Sequence, residues 1–292
     1  MSYRTVGKPL PRIEGEGKVT GRTLYTADVP VAGALWGKIL RSPVPHAKIV
    51  RVDTSKAKQL AGVGAVLCGA DLPPVFVGSR MKDMPVLARE RARFVGEPVA
   101  AVAAESRETA EEALSLIEVE YEEIASVSDP LEAMRPGAPL LHEERSRYKN
   151  APSVPDDIPN LQSVSVKKNG DVEQGFRRAH RVFEHTFRTQ LTHHGYLEPH
   201  ACAVRIGPDG RVEVWASNKS PYGLRDQLAA DLGIAKEKIK VHIMSVGGDF
   251  GGKASLIDAP ICYFLAERSG RPVKMALEYS EELMAGATGT PR

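Results

Sequence analysis

Residues 246–253 read Val246-Gly247-Gly248-Asp249-Phe250-Gly251-Gly252-Lys253. They follow residues 239–244, which are predicted to form a strand, and they precede a pattern that predicts a helix from about Leu256 to Arg268. The four glycines allow positive φ angles and a close approach of the backbone to a ligand. Successive exposed N–H groups ahead of a helix favour an anion. The residues therefore predict a glycine loop that can bind an anionic group.

Two interpretations of this loop follow from its residues alone. The P-loop of nucleotide triphosphatases has the pattern G-x-x-x-x-G-K-[ST], and Gly247 to Lys253 matches all of it except the last position. Ala254 stands there without a hydroxyl for Mg²⁺, while Asp249 would place a negative charge in the phosphate cradle and Phe250 would fill it. The other interpretation is a tight turn that joins a strand to a helix. The substitutions disfavour the nucleotide-binding interpretation.

Short strands and short helices alternate through the rest of the chain. Ser106 and Asp171 can each cap a helix with apolar residues on one face, and Thr54 can cap a shorter one. Pro221 can begin a further helix, which Gly233 ends. This mixture predicts the α+β class. Strand patterns cover Leu35–Leu40, Ile49–Val52, Val63–Leu67, Val99–Ala103, Ile117–Tyr121, Ala201–Ile206, Arg211–Trp215 and Val273–Leu277.

Proline divides the chain into two blocks. Six prolines lie between Ser126 and Gln162, and because proline fixes φ and removes a backbone donor, this stretch cannot form a long helix or a central strand. In the second block, residues 181–188 alternate between polar and apolar side chains with the period of a strand. We expect an N-terminal arm at 1–21, a mixed α/β domain at 22–130, a connector at 131–163 that is pinned by contacts or by a partner chain, and a second domain at 164–292.

Composition excludes several classes of protein. The 292 residues carry 39 Lys+Arg and 37 Asp+Glu, so the net charge of +2 gives no general attraction to nucleic acid. No apolar run is long enough to span a membrane, and the N-terminus lacks the apolar core of a secretory signal. The cysteines, Cys68, Cys202 and Cys262, form no CxxC pair, which disfavours a zinc or iron–sulfur site on this chain. We expect a cytoplasmic protein with reduced thiols.

Four further segments, together with the glycine loop, carry a resemblance to a known family. The loop is similar to the Gly-Gly-Gly-Phe-Gly-Gly-Lys segment in the large subunit of molybdenum hydroxylases, the family of xanthine dehydrogenase, aldehyde oxidase, aerobic carbon monoxide dehydrogenase and 4-hydroxybenzoyl-CoA reductase. The resemblance runs from about Gly7 to Arg292 and keeps the order of the segments. The other matching segments are Arg41–Ile49, Phe94–Ala100, Ala110–Tyr121 and His193–Ala201.

The resemblance implies a fold and a cofactor. It implies an N-terminal α/β hammerhead domain followed by the first, incomplete part of the molybdopterin-binding domain. The implied cofactor is molybdenum held by molybdopterin, in some members as a cytosine dinucleotide. Backbone N–H groups of Phe250, Gly251 and Gly252 would then bind its anionic oxo ligands, with Gly248 and Asp249 in the same loop. Phe250 would present an apolar wall to a planar substrate.

Two residues depart from the family pattern. Asp249 stands where the family has glycine, and a carboxylate beside an anionic centre would be repelled unless it points away or is protonated. Lys219 stands where the family has a glutamine that donates a hydrogen bond to a molybdenum oxygen. Lys219 can still donate, could hold an anion or a substrate carboxylate more strongly, or could turn outward. We expect Lys219 to belong to the cofactor site.

The segment 193–201 contains His193, His194 and His200, whose spacing does not match a zinc site. The resemblance implies that these histidines pack against the cofactor domain and hold no metal. Glu198 is expected to be a paired structural acid, not a catalytic base.

The resemblance also indicates what this chain does not supply. The family's catalytic glutamate lies in the C-terminal half of the large subunit, so no catalytic residue is assigned here. The expected partners are a chain with that C-terminal half, an iron–sulfur subunit with [2Fe–2S] clusters and an FAD subunit, and we favour a split subunit over a fragment. The expected substrate is a small molecule: an aromatic heterocycle, an aldehyde or an aryl-CoA. The alternative is a degenerate half-subunit that acts only in binding or assembly.

Overall fold

The computed structural model describes residues 3–78, 81–155, 157–254, 258–285 and 288–289. Its helices are α1 Gly15–Val19, α2 Ser55–Gln59, α3 Arg107–Ser115, α4 Pro130–Ala133, α5 Val172–Arg178, α6 Pro221–Leu232, α7 Ala259–Ser269 and α8 Tyr279–Ala285. Its strands are β1 Leu35–Arg41, β2 Ala47–Asp53, β3 Val63–Cys68, β4 Phe76–Val77, β5 Met84–Pro85, β6 Arg91–Ala92, β7 Pro98–Ala104, β8 Glu118–Glu123, β9 Thr192–His193, β10 Ala201–Ile206, β11 Val212–Ala216, β12 Ile239–His242, β13 Val273–Ala276 and β14 Thr288–Gly289.

A seven-stranded mixed sheet runs through both halves of the chain, in the order β12-β11-β10-β13-β1-β7-β3. The halves meet where β1 lies parallel to β13, with Leu35 opposite Val273 and Gly37 opposite Met275. A Cβ atom on Gly37 would lie 2.5 Å from the Cγ atom of Met275, so this close approach requires glycine. The two sequence blocks therefore share one sheet.

Apolar side chains cover both faces of this sheet. One core contains side chains from α6 and α7 together with Leu67 and Ala101, while the other contains side chains from α2 and α3 together with Val66 and Val102. Because successive strand residues point to opposite faces, β3 and β7 are buried on both sides. This explains why both strands read as continuous apolar runs. The strand order also places the loop after β12, and hence residues 246–253, near the end of the sheet built by the second block.

The smaller sheets and the connector complete the fold. Strands β6, β2 and β8 form a three-stranded sheet, and β9 pairs with β14. In the connector, the side chain of Asn160 accepts from the N–H of Leu141 at 2.9 Å and donates to the carbonyls of Ala133 and Pro139 at 3.0 and 2.8 Å. An ion pair between Arg93 and Glu144 attaches the connector to the first block. The connector is thus pinned by contacts within the chain.

Local capping agrees with the sequence pattern at several helices. The hydroxyl of Ser106 accepts from the N–H of Thr109, and the carboxylate of Asp171 accepts from the N–H of Gln174. Gly233 ends α6 in the left-handed conformation, as its position predicts. Thr54 differs from the prediction: it precedes α2, but its side chain makes no capping bond, and Asp53 accepts from the N–H of Ser55 at 3.0 Å instead.

The structure differs from two expectations about the second block. Residues 181–188 form no strand, and Phe183 and Phe187 are 75% and 83% exposed, because no strand among the described residues lies beside them to complete a ladder. The helix expected from Leu256 begins at Ala259, and Leu256 itself lies outside the described residues. No helix in the described ranges is long and apolar enough to cross a membrane.

Candidate functional site

The glycine loop connects β12 to α7 and has an unusual backbone. Gly248 and Gly251 adopt φ angles of 100° and 104°, and Phe250 adopts 46°. Positive φ is strained for a residue with a Cβ atom, so Phe250 is held in this conformation by its neighbours. The ring of Phe250 is 73% exposed. The loop therefore presents an apolar side chain at its tip.

The floor of the loop is the segment 195–200. A Cβ atom on Gly252 would lie 2.6 Å from Cε1 of Tyr196, and one on Gly248 would lie 2.9 Å from Cβ of the same residue. At Gly247 the corresponding atom would lie 2.6 Å from Cβ of Glu198. Contacts this short do not occur between real side chains. Packing against the floor therefore requires glycine at these positions, in addition to any requirement set by a ligand.

Lys253 is fully buried beneath the loop. Its Nζ donates to Glu198 at 2.7 Å and lies 4.7 Å from the centroid of the Tyr196 ring. Glu198 also accepts from the N–H of Gly247 at 2.7 Å and from the hydroxyl of Ser217 at 3.0 Å. Glu198 is thus a paired acid that ties the floor to the loop. Lys253 cannot serve as the phosphate-binding lysine of a P-loop, because its ammonium group points into the protein.

A second buried carboxylate, Glu282 of α8, supports the floor from the other side. It accepts from the N–H of His200 at 2.6 Å, from Nδ1–H of the same histidine at 2.8 Å, and from the hydroxyl of Tyr196. Burial alone would raise the pKa of Glu282, but the hydrogen bonds from His200 and Tyr196 outweigh it and lower the pKa to about 2. Glu282 is therefore ionised at neutral pH and fixes the floor to α8.

The two residues that depart from the family pattern meet at the mouth of the loop. Nζ of Lys219 donates to Oδ2 of Asp249 at 2.8 Å, and Oδ1 of Asp249 accepts from the N–H of Lys253 at 2.6 Å. Burial raises the pKa of Asp249, but bonds from Lys219 and from the N–H groups of Lys253 and Gly251 bring it below its ordinary value. Asp249 is thus neither turned away nor protonated. Its charge is paired with Lys219.

The expected cofactor-binding residues are close together, but their N–H groups are not all available. The N–H of Gly252 donates to the carbonyl of Asp249 at 2.8 Å, and the N–H of Gly251 points to the carboxylate of Asp249. The N–H of Phe250 has no partner among the described residues. Lys219 remains 46% exposed at its side chain despite its ion pair. Of the three successive N–H groups expected to face a ligand, those of Gly251 and Gly252 are thus paired within the loop, and that of Phe250 has no partner in the described residues.

The histidines pack around the floor. His194 stacks on Tyr196 with the planes 22° apart, and His193 meets the same ring nearly edge-on. Nδ1 of His194 and Nε2 of His193 are buried without a hydrogen-bond partner in the described part of the chain. Within that part, no group of three His, Cys, Asp or Glu side chains is arranged to hold a metal ion.

The structure adds residues to the site that sequence patterns do not single out. Tyr196 is part of the floor, Lys253 packs against it from the loop, and Glu282 supports it from α8. No local pattern predicts these roles. Lys253 lies within the glycine loop, but its burial depends on its ion pair with Glu198, a partner 55 residues away. The only available signal for Tyr196 and Lys253 was that each lies in a segment that resembles the family.

Sequence models of two domains match the chain. The aldehyde oxidase and xanthine dehydrogenase a/b hammerhead domain matches residues 20–125, and the molybdopterin cofactor-binding domain matches residues 154–292. The second match contains the glycine loop, Lys219 and the floor. Together they leave only the arm, most of the connector and a few neighbouring residues outside a match.

Relatives share sequence over nearly the whole chain. A probable xanthine dehydrogenase subunit of Bacillus subtilis is 40% identical over 96% of this chain and 36% of its own length. The nicotinate dehydrogenase large molybdopterin subunit of Eubacterium barkeri is 30% identical over 99% of this chain and 65% of its own length. The chain thus spans about a third to two thirds of the length of these relatives.

Solved structures share the fold. The CO dehydrogenase of Oligotropha carboxidovorans superposes with a TM-score of 0.86 at 29% identity, over 97% of this chain and 36% of that one. Quinoline 2-oxidoreductase of Pseudomonas putida 86 gives 0.79 at 27% identity, over 96% and 36%. The expected α+β architecture is confirmed. The chain belongs to the xanthine dehydrogenase and aldehyde oxidase family of molybdenum hydroxylases, of whose large subunit it contains the hammerhead domain and part of the molybdopterin-binding domain.

Proposed function

We propose that this chain forms one wall of the molybdopterin site in a multi-subunit molybdenum hydroxylase. The observation that carries the proposal is the mouth of the glycine loop, where the exposed Phe250, its N–H group and the ammonium group of Lys219 lie on a floor of packed side chains. Such a mouth combines donors for an anionic group with an apolar surface for a planar molecule. The chain contributes part of the site, and further protein supplies the rest.

The residues present fit the cofactor that the family implies. A cation at Lys219, a free N–H at Phe250 and polar atoms of His194 beside the loop suit a group with anionic oxygens. The residues that would hold it are Lys219, Gly248, Asp249, Phe250, Gly251 and Gly252. When bound, the molybdenum centre supplies the oxidation of a carbon atom with oxygen from water. The nucleotide form of the pterin is proposed to be the cytosine dinucleotide.

The chain's own residues orient reactants and set the surface of the site. Lys219 and the N–H of Phe250 would fix anionic oxygens by hydrogen bonds, while the ring of Phe250 would lie against a flat substrate. One relative is named for CO, and three are named for xanthine, nicotinate and quinoline. All three are aromatic nitrogen heterocycles, so this is the substrate class we propose for the complete enzyme. The catalytic base is proposed to be a glutamate outside this chain.

Exposed apolar side chains support the need for further protein. Between residues 164 and 191 the chain carries a series of exposed apolar side chains, here called the apolar band, which is unusual for a surface left open to water. We propose that the remaining part of the large subunit covers this band, with iron–sulfur and FAD subunits in the same complex. The side chains are Val164, Val166, Val172, Phe176, Val182, Phe183, Phe187 and Leu191.

Metal analysis of the assembled complex tests the proposal. The chain is purified together with the products of neighbouring genes, and molybdenum and pterin are measured per copy of the chain. We expect close to one molybdenum and one pterin per copy. A complex that assembles without molybdenum would contradict the proposal and would favour a binding or assembly role, for which the carboxylate of Asp249 in the loop is the supporting observation.

A further inference from the structure

The carboxylate of Asp249 lies within the glycine loop and is bonded by backbone N–H groups of that loop. It accepts from the N–H of Lys253 at 2.6 Å and from the N–H of Gly251. Converging backbone N–H groups of this kind form a nest for an anionic oxygen. The nest is therefore filled by a side chain of the loop itself.

Lys219 supplies the positive charge at the same place. Its ammonium group lies 2.8 Å from the second carboxylate oxygen of Asp249, and its own backbone N–H donates to the carbonyl of Lys253 at 3.0 Å. The loop that carries Lys219 and the glycine loop are thus joined by a backbone bond as well as by an ion pair. This linkage keeps the ammonium group at the nest even when its side-chain partner changes.

The remaining charges near the nest are already paired. The ammonium group of Lys253 is buried against Glu198 and points away from the mouth. The side chains of Lys219 and Asp249 keep 46% and 24% exposure, so both can be reached from the mouth of the loop. An anionic oxygen that reaches the mouth of the loop meets the cation of Lys219. It competes with the carboxylate of Asp249 for that cation and for the nest.

We propose that the glycine loop is a self-occupied oxyanion site, in which Asp249 fills the nest from within and Lys219 exchanges this carboxylate for an oxyanion of the ligand. The inference rests on the proposed function for the identity of the natural oxyanion, that of the molybdenum cofactor. Asp249 is a positioning residue in this scheme, because it acts through Lys219 and the nest.

The proposal predicts opposite effects for the two charges. Asp249→Asn keeps an oxygen acceptor for the nest but removes the competing charge, so oxyanion affinity rises. Lys219→Met leaves the carboxylate without its cation, so affinity falls. We expect changes of about three- to tenfold, the factor that one partly exposed charge contributes at contact distance. A purely structural ion pair would instead weaken binding in both variants or change it in neither.

Calorimetric titration of the full 292-residue chain with sodium molybdate tests this at low ionic strength, where charge effects are least screened. We expect tighter binding by Asp249→Asn, weaker binding by Lys219→Met, and an affinity within about twofold of the parent for the double variant. The proposal is wrong if both single variants bind molybdate more weakly than the parent does. It is also wrong if neither single variant nor Asp249→Gly binds molybdate at all. Lys219→Gln replaces Lys219→Met if the latter does not fold.

An ion pair elsewhere gives the matched control. Lys48 and Glu122 lie 2.7 Å apart on β2 and β8, and the side chain of Lys48 is 49% exposed against 46% for Lys219, so Lys48→Met removes a comparable cation away from the loop and should leave molybdate affinity unchanged. A parallel loss of affinity in Lys48→Met would show that net charge alone controls binding, which overturns the proposal. Loss of molybdenum from the assembled complex contradicts the proposed function, whereas the titration addresses the nest alone, so the two failures are distinguishable.

Discussion

Replacement of Glu282 by glutamine should lower the free energy of unfolding by about 3 kcal/mol at pH 7. The side chain is fully buried, and its pKa of about 2 lies well below the ordinary value of 4.5. Each unit of that difference corresponds to about 1.4 kcal/mol of preference for the ionised form in the folded state. Glutamine keeps the size but replaces one of the two acceptor oxygens by an N–H donor, so the loss reports the removed charge and acceptor and not a cavity.

The sign of the pH dependence follows from the lowered pKa of Glu282. Its contribution is fully present above about pH 4.5 and is lost as the pH falls toward 2, because the unfolded chain binds the proton first. Urea unfolding of the parent chain and Glu282→Gln should therefore show a gap that grows from near zero at pH 2 to about 3 kcal/mol at neutral pH.

Glu112→Gln is the matched control for this experiment, since Glu112 is exposed on α3 without a side-chain partner in the described residues. Its unfolding curve should follow that of the parent at every pH. A gap between Glu282→Gln and the parent that stays constant from pH 2 to 7 would refute the reasoning, because it would show that the charge of Glu282 does not stabilise the fold.

Two further perturbations address the first domain and the loop. Glu97 is 2% exposed, and burial raises its pKa to about 7, although the N–H of Arg93 donates to it. Its folded state favours the proton, so the free energy of unfolding should fall by about 3 kcal/mol between pH 4.5 and 7 in the parent but not in Glu97→Gln, as measured by urea unfolding. Gly252→Ala would bring a Cβ atom to 2.6 Å from Tyr196, whose fully buried ring cannot move away, and should cost about 1–3 kcal/mol in the same assay.

Controls separate these effects from general ones. Gly175 lies in α5 with open space around its Cα atom, so Gly175→Ala should leave stability unchanged or raise it slightly. An equal loss in Gly175→Ala and Gly252→Ala would remove the steric explanation. For Glu97, a pH profile that is identical in the parent and in Glu97→Gln would show that burial does not shift the pKa of this carboxyl between the unfolded and folded states, which would contradict the prediction.

Local signals in the sequence predicted the elements well. Ser106 and Asp171 cap α3 and α5, and Pro221 and Gly233 mark the ends of α6. Each of these signals acts within a few residues. Residues 181–188 show the limit of such reasoning, because a strand pattern produces a strand only where a neighbouring strand accepts its hydrogen bonds.

The contacts that build the site could not be predicted in this way. Glu282 meets His200 across 82 residues, and Lys219 meets Asp249 across 30. The sequence marked Lys219 and Asp249 as separate departures from a pattern, and only the fold shows that each neutralises the other. Lys253 shows that a local pattern can also mislead. Its place in a P-loop-like pattern suggests an exposed cation, whereas its ammonium group is buried in the structure.

The position of β1 in the large sheet has a consequence for synthesis of the chain. β7 leaves the ribosome early and can pair with one side of β1, with β3 on the far side of β7, but the strand that covers the other side of β1, β13, is made only near residue 276. Until then β1 is an edge strand with unpaired N–H and C=O groups, a template for pairing with another polypeptide. A nascent chain that stalls before β13 is therefore exposed to aggregation, and chaperones that shield edges would act in this interval.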